Sequence, residues 1–363
     1  MTSRFDVRQQ EQPTTVSTLR PHPTYRENLF TIGFGVWFAL GLFLDAWAHN
    51  NLAELESFLT PWHAVFYSGF TATAAWISWL VWKNVQAGRR GMDAVPVGYG
   101  PAVLALPVFA LAGAGDYLWH ELFGIEQNLV ILFSPTHLLL ITSMVLILAS
   151  PLRAARANPA LPAAPTARQL LPAVLSTGFT AALVLLFLQY GNAMALAAPD
   201  IIRALTFDRD NSPLFTELLT NYLVVTTPML VGPLLLLARD WRLPFGTGTV
   251  IFTIIGGLCA AITAFGNLST VAALIAAGFG ADLLARWLRP AADRPGAYWA
   301  FGGLTALLTW VLYFAVAMAV VGDVPPVVEM WTGMPLVGGL IGLLLAGLLV
   351  RTPLGRPAEP AAP

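Results

Sequence analysis

Apolar runs of about 20 residues recur along the chain from Leu29 to Val350, and each is long enough to cross the hydrocarbon core of a bilayer as a helix. The pattern predicts helices over 29–50, 61–83, 99–121, 134–152, 169–192, 213–238, 246–266, 268–288, 297–321 and 334–351. A membrane β-barrel would instead alternate apolar and polar residues in runs of about ten. The expected fold is an all-α polytopic membrane protein with about ten transmembrane helices. Ten crossings leave both termini on one side of the bilayer.

Charge decides which side. Of the 19 Lys and Arg residues, only Arg203 and Arg209 fall outside the segments on the amino-terminal side. Basic residues mark the cytoplasmic face, so both termini are expected in the cytoplasm of a multi-pass protein of the cell membrane. No short apolar segment with a small-residue cleavage site precedes Leu29, so the start of the chain is expected to stay uncleaved. The expected organisation is a polar cytoplasmic tail (1–28), a four-helix unit (29–152), a Pro/Ala/Arg-rich linker (153–168), a six-helix Gly/Ala-rich unit (169–351) and a second tail (352–363).

Composition agrees with a membrane setting. The 363 residues are 56% hydrophobic and only 11% charged, with a mean hydropathy of +0.67, which excludes a soluble domain. The lipid bilayer is the expected partner. The net charge of −1 by itself says nothing about nucleic acid, and none is expected. The single Cys259 excludes an intramolecular disulfide.

Polar residues that interrupt the apolar pattern carry the chemistry. Asp45-Ala46-Trp47-Ala48-His49 is followed by Thr60-Pro61-Trp62-His63, and Asp116-Tyr117-Leu118-Trp119-His120 by Ser134-Pro135-Thr136-His137. Asp45 and Asp116 stand 71 residues apart, as do His49 and His120, whereas His63 and His137 stand 74 apart. Phe38-Ala39-Leu40 and Phe109-Ala110-Leu111 precede the two aspartates at the same distance, so an internal duplication of a helical hairpin is expected.

An Asp and a His four residues apart share one helix face. Thr60 and Ser134 are expected to cap the next helix, with Pro at its first position, which puts His63 and His137 in the opening turn. A hairpin brings that turn beside the end of the preceding helix. Asp45, His49 and His63, and likewise Asp116, His120 and His137, are therefore candidate metal ligands near the extracytoplasmic face. Ionisable groups inside a membrane helix are costly, at about 2.5–3.5 kcal/mol each at mid-bilayer, so a shared cation gives them a purpose. Without a metal, each Asp would simply accept a hydrogen bond from its i+4 His. Four of the five His residues lie in these motifs; the fifth, His22, lies in the polar tail.

Glu56 and Glu126, in the intervening loops, are candidate partners of the ligands or proton carriers, and Glu54 and Glu121 suit a solvated acidic loop. Trp47, Trp119, Trp62 and Tyr67 are candidates to wall a pocket, although aromatic belts also place Trp and Tyr at this depth. Two His and one carboxylate suit copper, zinc or iron, and the lack of a thiolate or Met cluster argues against a dedicated Cu(I) export site.

In the second half, Gly338-x-x-x-Gly342 points to close helix packing. Gln189, Tyr190, Asn192, Glu217, Asn221 and Tyr222 are either cavity residues or solvated helix ends. Residues 193–213 are expected to form an outer loop, and Trp331 an interface anchor on another.

Asp45-x-x-x-His49 followed by Phe58-Leu59-Thr60-Pro61-Trp62-His63-Ala64-Val65-Phe66-Tyr67-Ser68-Gly69-Phe70 resembles the copper-bearing C subunit of particulate methane and ammonia monooxygenases over roughly residues 45–140. The resemblance implies copper ligation by Asp45, His49 and His63, and a second site at His120 and His137, where Asp116 replaces the family's Asn. It also implies further membrane subunits or an oligomer. A copper protein of this kind would oxidise a small apolar substrate with O2; no catalytic residue is assigned. The alternatives are a metal transporter or delivery protein, and a zinc-dependent intramembrane hydrolase using Glu126 or Glu56 as base.

Overall fold

The computed structural model describes residues 20–52, 60–124, 132–206 and 214–350, and these contain helices and no strand. In chain order the helices are α1 (Tyr25–Asn51), α2 (Pro61–Gln86), α3 (Gly100–Phe123), α4 (Pro135–Leu148), α5 (Ser150–Arg156), α6 (Ala167–Phe187), α7 (Ala198–Ala204), α8 (Leu214–Asp240), α9 (Thr247–Ile262), α10 (Leu268–Leu288), α11 (Pro295–Val321) and α12 (Val328–Leu349). With α4 and α5 taken as one span, nine helices among the described residues are long and apolar enough to cross a membrane. The expected tenth, α9, has only 16 residues, which at 1.5 Å per residue is about 24 Å, shorter than a hydrocarbon core of about 30 Å.

Local chemistry sets the helix ends. Thr24 and Glu27 form a reciprocal capping box that starts α1 four residues before the apolar run begins. Thr166 and Gln169 do the same for α6. Thr60 accepts from the His63 N–H at 3.2 Å and Ser134 from the His137 N–H at 3.1 Å, each followed by Pro at the first helical position. The expected caps of α2 and α4 are therefore present.

The expectation of a loop over 193–213 is corrected for its described part, since residues 207–213 lie outside the described residues. After α6 the chain makes two tight turns, at Gln189–Gly191 and Ala193–Ala195, and then forms the short helix α7. One face of this segment is buried: Asn192, Ala193, Met194, Ile201 and Leu205 are each at most 1% exposed. Irregular backbone survives there because neighbouring helices satisfy it. The Thr226 hydroxyl donates to Gly191 O and accepts from Ala193 N–H, Tyr313 donates to Ala193 O, Asn267 to Met194 O, and Thr270 to Leu196 O. Trp331 lies within α12, donating to Pro325 O at 3.1 Å.

Small residues let helices approach. A Cβ on Gly41 would stand 2.7 Å from Phe66 Cα, and one on Gly69 would stand 2.6 Å from Phe38 Cα, so α1 and α2 meet nearly backbone to backbone. In the second half, a Cβ on Gly302 would stand 2.6 Å from Gly342 O, which bears out the packing role of the Gly338/Gly342 pair. The two hairpins, α1–α2 and α3–α4, join through a ring cluster in which Phe109 meets Phe38 edge-on at 5.1 Å and stacks on Phe70 at 4.2 Å. Helix α6 packs against α1, α4, α8 and α9, tying the hairpins to the later helices.

Candidate metal centre

Each hairpin brings one carboxylate and two imidazoles together at the end where its first helix stops and its second begins. In the first, Asp45 Oδ2 lies 3.8 Å from His49 Nε2 and 3.7 Å from His63 Nε2. In the second, Asp116 Oδ2 lies 3.7 Å from His120 Nε2, and Asp116 Oδ1 lies 3.4 Å from His137 Nδ1. Within each group the candidate ligand atoms all lie within 4.8 Å of one another. The imidazole pairs match as well: His49 and His63 are 6.0 Å apart at 79°, and His120 and His137 are 5.8 Å apart at 77°.

These distances fit a cation better than direct hydrogen bonds. Every Asp-to-His separation except one exceeds 3.5 Å, beyond hydrogen-bond length. Two donors each about 2.0–2.2 Å from a metal stand about 3.3–3.7 Å apart at tetrahedral to trigonal angles. Asp45 is 8% exposed and its Oδ1 finds no hydrogen-bond partner among the described residues. A buried carboxylate oxygen left in that state is what a positive ion would satisfy.

The surroundings orient the rings. Thr60 Oγ1 lies 3.0 Å from His63 Nδ1; a proton on that nitrogen, accepted by the hydroxyl, leaves Nε2 to face the cation. His120 Nδ1 lies 3.3 Å from Gly124 O, which fixes its ring in the same way. In the second hairpin Ser134 Oγ approaches His137 Nδ1 at 2.6 Å, and that same nitrogen faces Asp116. The two clusters thus use different edges of their second imidazole.

One functional neighbour, Thr136, escaped the sequence, whereas Tyr67 stands among the expected pocket-wall candidates. Thr136 donates to Asp116 Oδ1 at 2.8 Å, where the first hairpin has Trp62, packed edge-on against Trp47 at 5.8 Å. Tyr67 stacks on His63 at 6.2 Å and reaches α3, where a Cβ on Gly113 would stand 3.0 Å from its ring. Gly113, three residues before Asp116, leaves the space for that contact. Tyr67 therefore lies between the clusters. Trp119 packs on Phe123 at 4.6 Å. Glu54, Glu56 and Glu126 lie outside the described residues.

No family model matches the chain, and no characterised protein or solved structure matches it either.

What the residues themselves establish is a helical, membrane-type protein with two groups able to hold a metal ion. The later helices reach the same end of the bundle. Asn51, two residues after His49, donates to Ile262 O at the end of α9, and Phe133, just before Ser134, packs on Tyr190 at 5.7 Å. The tight turns after α6 thereby border the second cluster.

Proposed function

We propose that the protein binds copper in two neighbouring Asp/His/His centres, Asp45–His49–His63 and Asp116–His120–His137, and belongs with membrane monooxygenase C subunits. The observation that carries this reading is the repeated convergence of one carboxylate and two imidazoles at matched distances and ring angles in two hairpins. The matched 71-residue spacing supports a duplicated hairpin as its origin. With α9 counted as a tenth, short crossing, the basic-residue bias supports both termini in the cytoplasm and the centres toward the opposite face.

Copper bound there would supply the capacity to activate O2 for oxidation of a small apolar substrate. The chain's own residues hold and orient. The carboxylates contribute charge, Thr60, Ser134 and Gly124 set the imidazole rings, and three protein donors per centre leave room for a further ligand. Exposed apolar side chains such as Leu118 and Leu122, beside the second centre, face the bilayer from which such a substrate would arrive.

A transport path through the hairpins is disfavoured by what lies beneath the centres. Phe38, Phe66 and Phe109 are each at most 4% exposed and pack ring against ring one to two turns below Asp45 and Asp116. Zinc suits the same donors, so elemental analysis is the deciding experiment. Purified wild type should carry two equivalents of copper, and His49→Ala and His120→Ala should each lose one. Wild type without stoichiometric transition metal would end the proposal; zinc in place of copper, with activity independent of O2, would redirect it to hydrolysis.

A further inference from the structure

A second site lies at the opposite end of α10 from its junction with α9. Arg286, Arg289 and Arg294 converge with Leu283 and Trp287 around an open pocket of about 540 Å³. Local structure builds it: α10 ends with Arg289 in the left-handed conformation at φ 50°, its N–H bonded to Ala285 O at 3.0 Å. The turn into α11 then brings Arg294 back, Nη1 donating to Arg289 O at 3.3 Å.

All three arginines are exposed, and among the described residues no ion pair engages any of them. Asp282, one turn before Arg286, is spoken for elsewhere. It accepts from Gly248 N–H at 2.7 Å, Thr249 N–H at 3.0 Å and the Thr249 hydroxyl at 2.6 Å, closing the start of α9. Asp293, in the turn into α11, forms no ion pair with the arginines among the described residues, so the pocket presents three unpaired guanidinium groups at a helix end.

Beneath the charge runs an apolar stripe. Phe279, Leu283 and Trp287, at i, i+4 and i+8, share one face of α10 and are 49%, 48% and 75% exposed. Phe245 extends the stripe from the α8–α9 turn, meeting Phe279 edge-on at 5.7 Å. The stripe spans about 12 Å of helix. A free phosphate ion would use the arginines and leave this surface idle. An amphiphile with a phosphate at one end and a hydrocarbon chain at the other would use both.

We propose that Arg286, Arg289 and Arg294 bind the phosphate headgroup of an anionic phospholipid, with one acyl chain lying along Trp287, Leu283 and Phe279. Guanidinium forks match phosphate oxygens two at a time, and indole rings favour this depth in a bilayer.

The test uses the full chain in neutral detergent with three probes: phosphatidylglycerol, phosphatidylcholine and inorganic phosphate. Wild type should bind phosphatidylglycerol in preference to phosphatidylcholine, and inorganic phosphate should not displace it. Replacing all three arginines by Ala should weaken phosphatidylglycerol binding on the order of a hundredfold. Should that variant not fold, phosphatidylglycerol brominated on its acyl chain decides: it should quench tryptophan fluorescence in wild type and quench less in Trp287→Phe. Equal binding of both lipids, displacement by phosphate, unchanged binding by the triple variant, or unchanged quenching in Trp287→Phe would each overturn the proposal.

Discussion

Asp45 offers the sharpest test of the metal centre, because its structure predicts opposite stability effects with and without the ion. Its side chain is buried, Oδ1 has no hydrogen-bond partner among the described residues, and the nearest imidazole nitrogens, at 3.7 and 3.8 Å, stand too far for hydrogen bonds to Oδ2. A buried acceptor left unsatisfied costs about 1–3 kcal/mol, and more if charged. Asp45→Asn keeps the volume and removes the charge. Under a strong chelator it should therefore stabilise the protein by about 1–3 kcal/mol, raising the apparent melting temperature by about 1–4 °C for a chain of this length. With copper the order reverses, since an ion at about a thousand times its Kd stabilises the wild type by about 4 kcal/mol through a centre the variant has lost. Asp116→Asn is the control. Asp116 already accepts the Thr136 hydroxyl at 2.8 Å, so its neutralisation should bring no gain in chelator. Thermal unfolding followed by intrinsic fluorescence, in chelator and in copper, reads all three proteins. If Asp45→Asn melts below wild type in chelator, or gains as much from copper as wild type does, the carboxylate is not the unsatisfied ligand described above.

Three further outcomes follow from the geometry. Thr136→Val removes the hydroxyl that orients Asp116 and should weaken the second centre about 10–100-fold in a metal titration, leaving the first unchanged. Gly69→Val forces a Cβ against Phe38 Cα and should cost about 1–3 kcal/mol or more while releasing metal from the first centre in preference to the second, by elemental analysis. Asp282→Ala strips the start of α9 of its acceptor and should lower stability by about 1–3 kcal/mol in thermal unfolding, with metal content unaffected.

Much of the site was legible in the chain because its determinants are local. The i, i+4 pairing of Asp45 with His49 and of Asp116 with His120 follows from helix periodicity, and the Thr-Pro and Ser-Pro caps fix the rotation of His63 and His137 within their opening turns. Helix positions were legible for the same reason, since a bilayer demands long apolar runs. Thr136 was not, because whether a hydroxyl points at Asp116 or at lipid depends on how α3 and α4 cross. The segment 189–205 was misjudged because nothing local marks a tight-turn stretch as buried. Among the described residues its backbone is satisfied by side chains far along the chain, including Thr216 and Thr226 of α8, Asn267 and Thr270 at the start of α10, and Tyr313 of α11.

The chain by itself determined that this is a bundle of membrane-length helices with two carboxylate-and-imidazole hairpins, because hydrophobic length, helix periodicity and capping act within a few residues. Tertiary structure alone decided that the centres differ. Thr136 satisfies one carboxylate while the other keeps a bare oxygen, and Tyr67 stands between them beside Gly113. Those differences arise from contacts across helices, where the direction of a side chain is set by the neighbour it meets and not by the residues beside it in the chain.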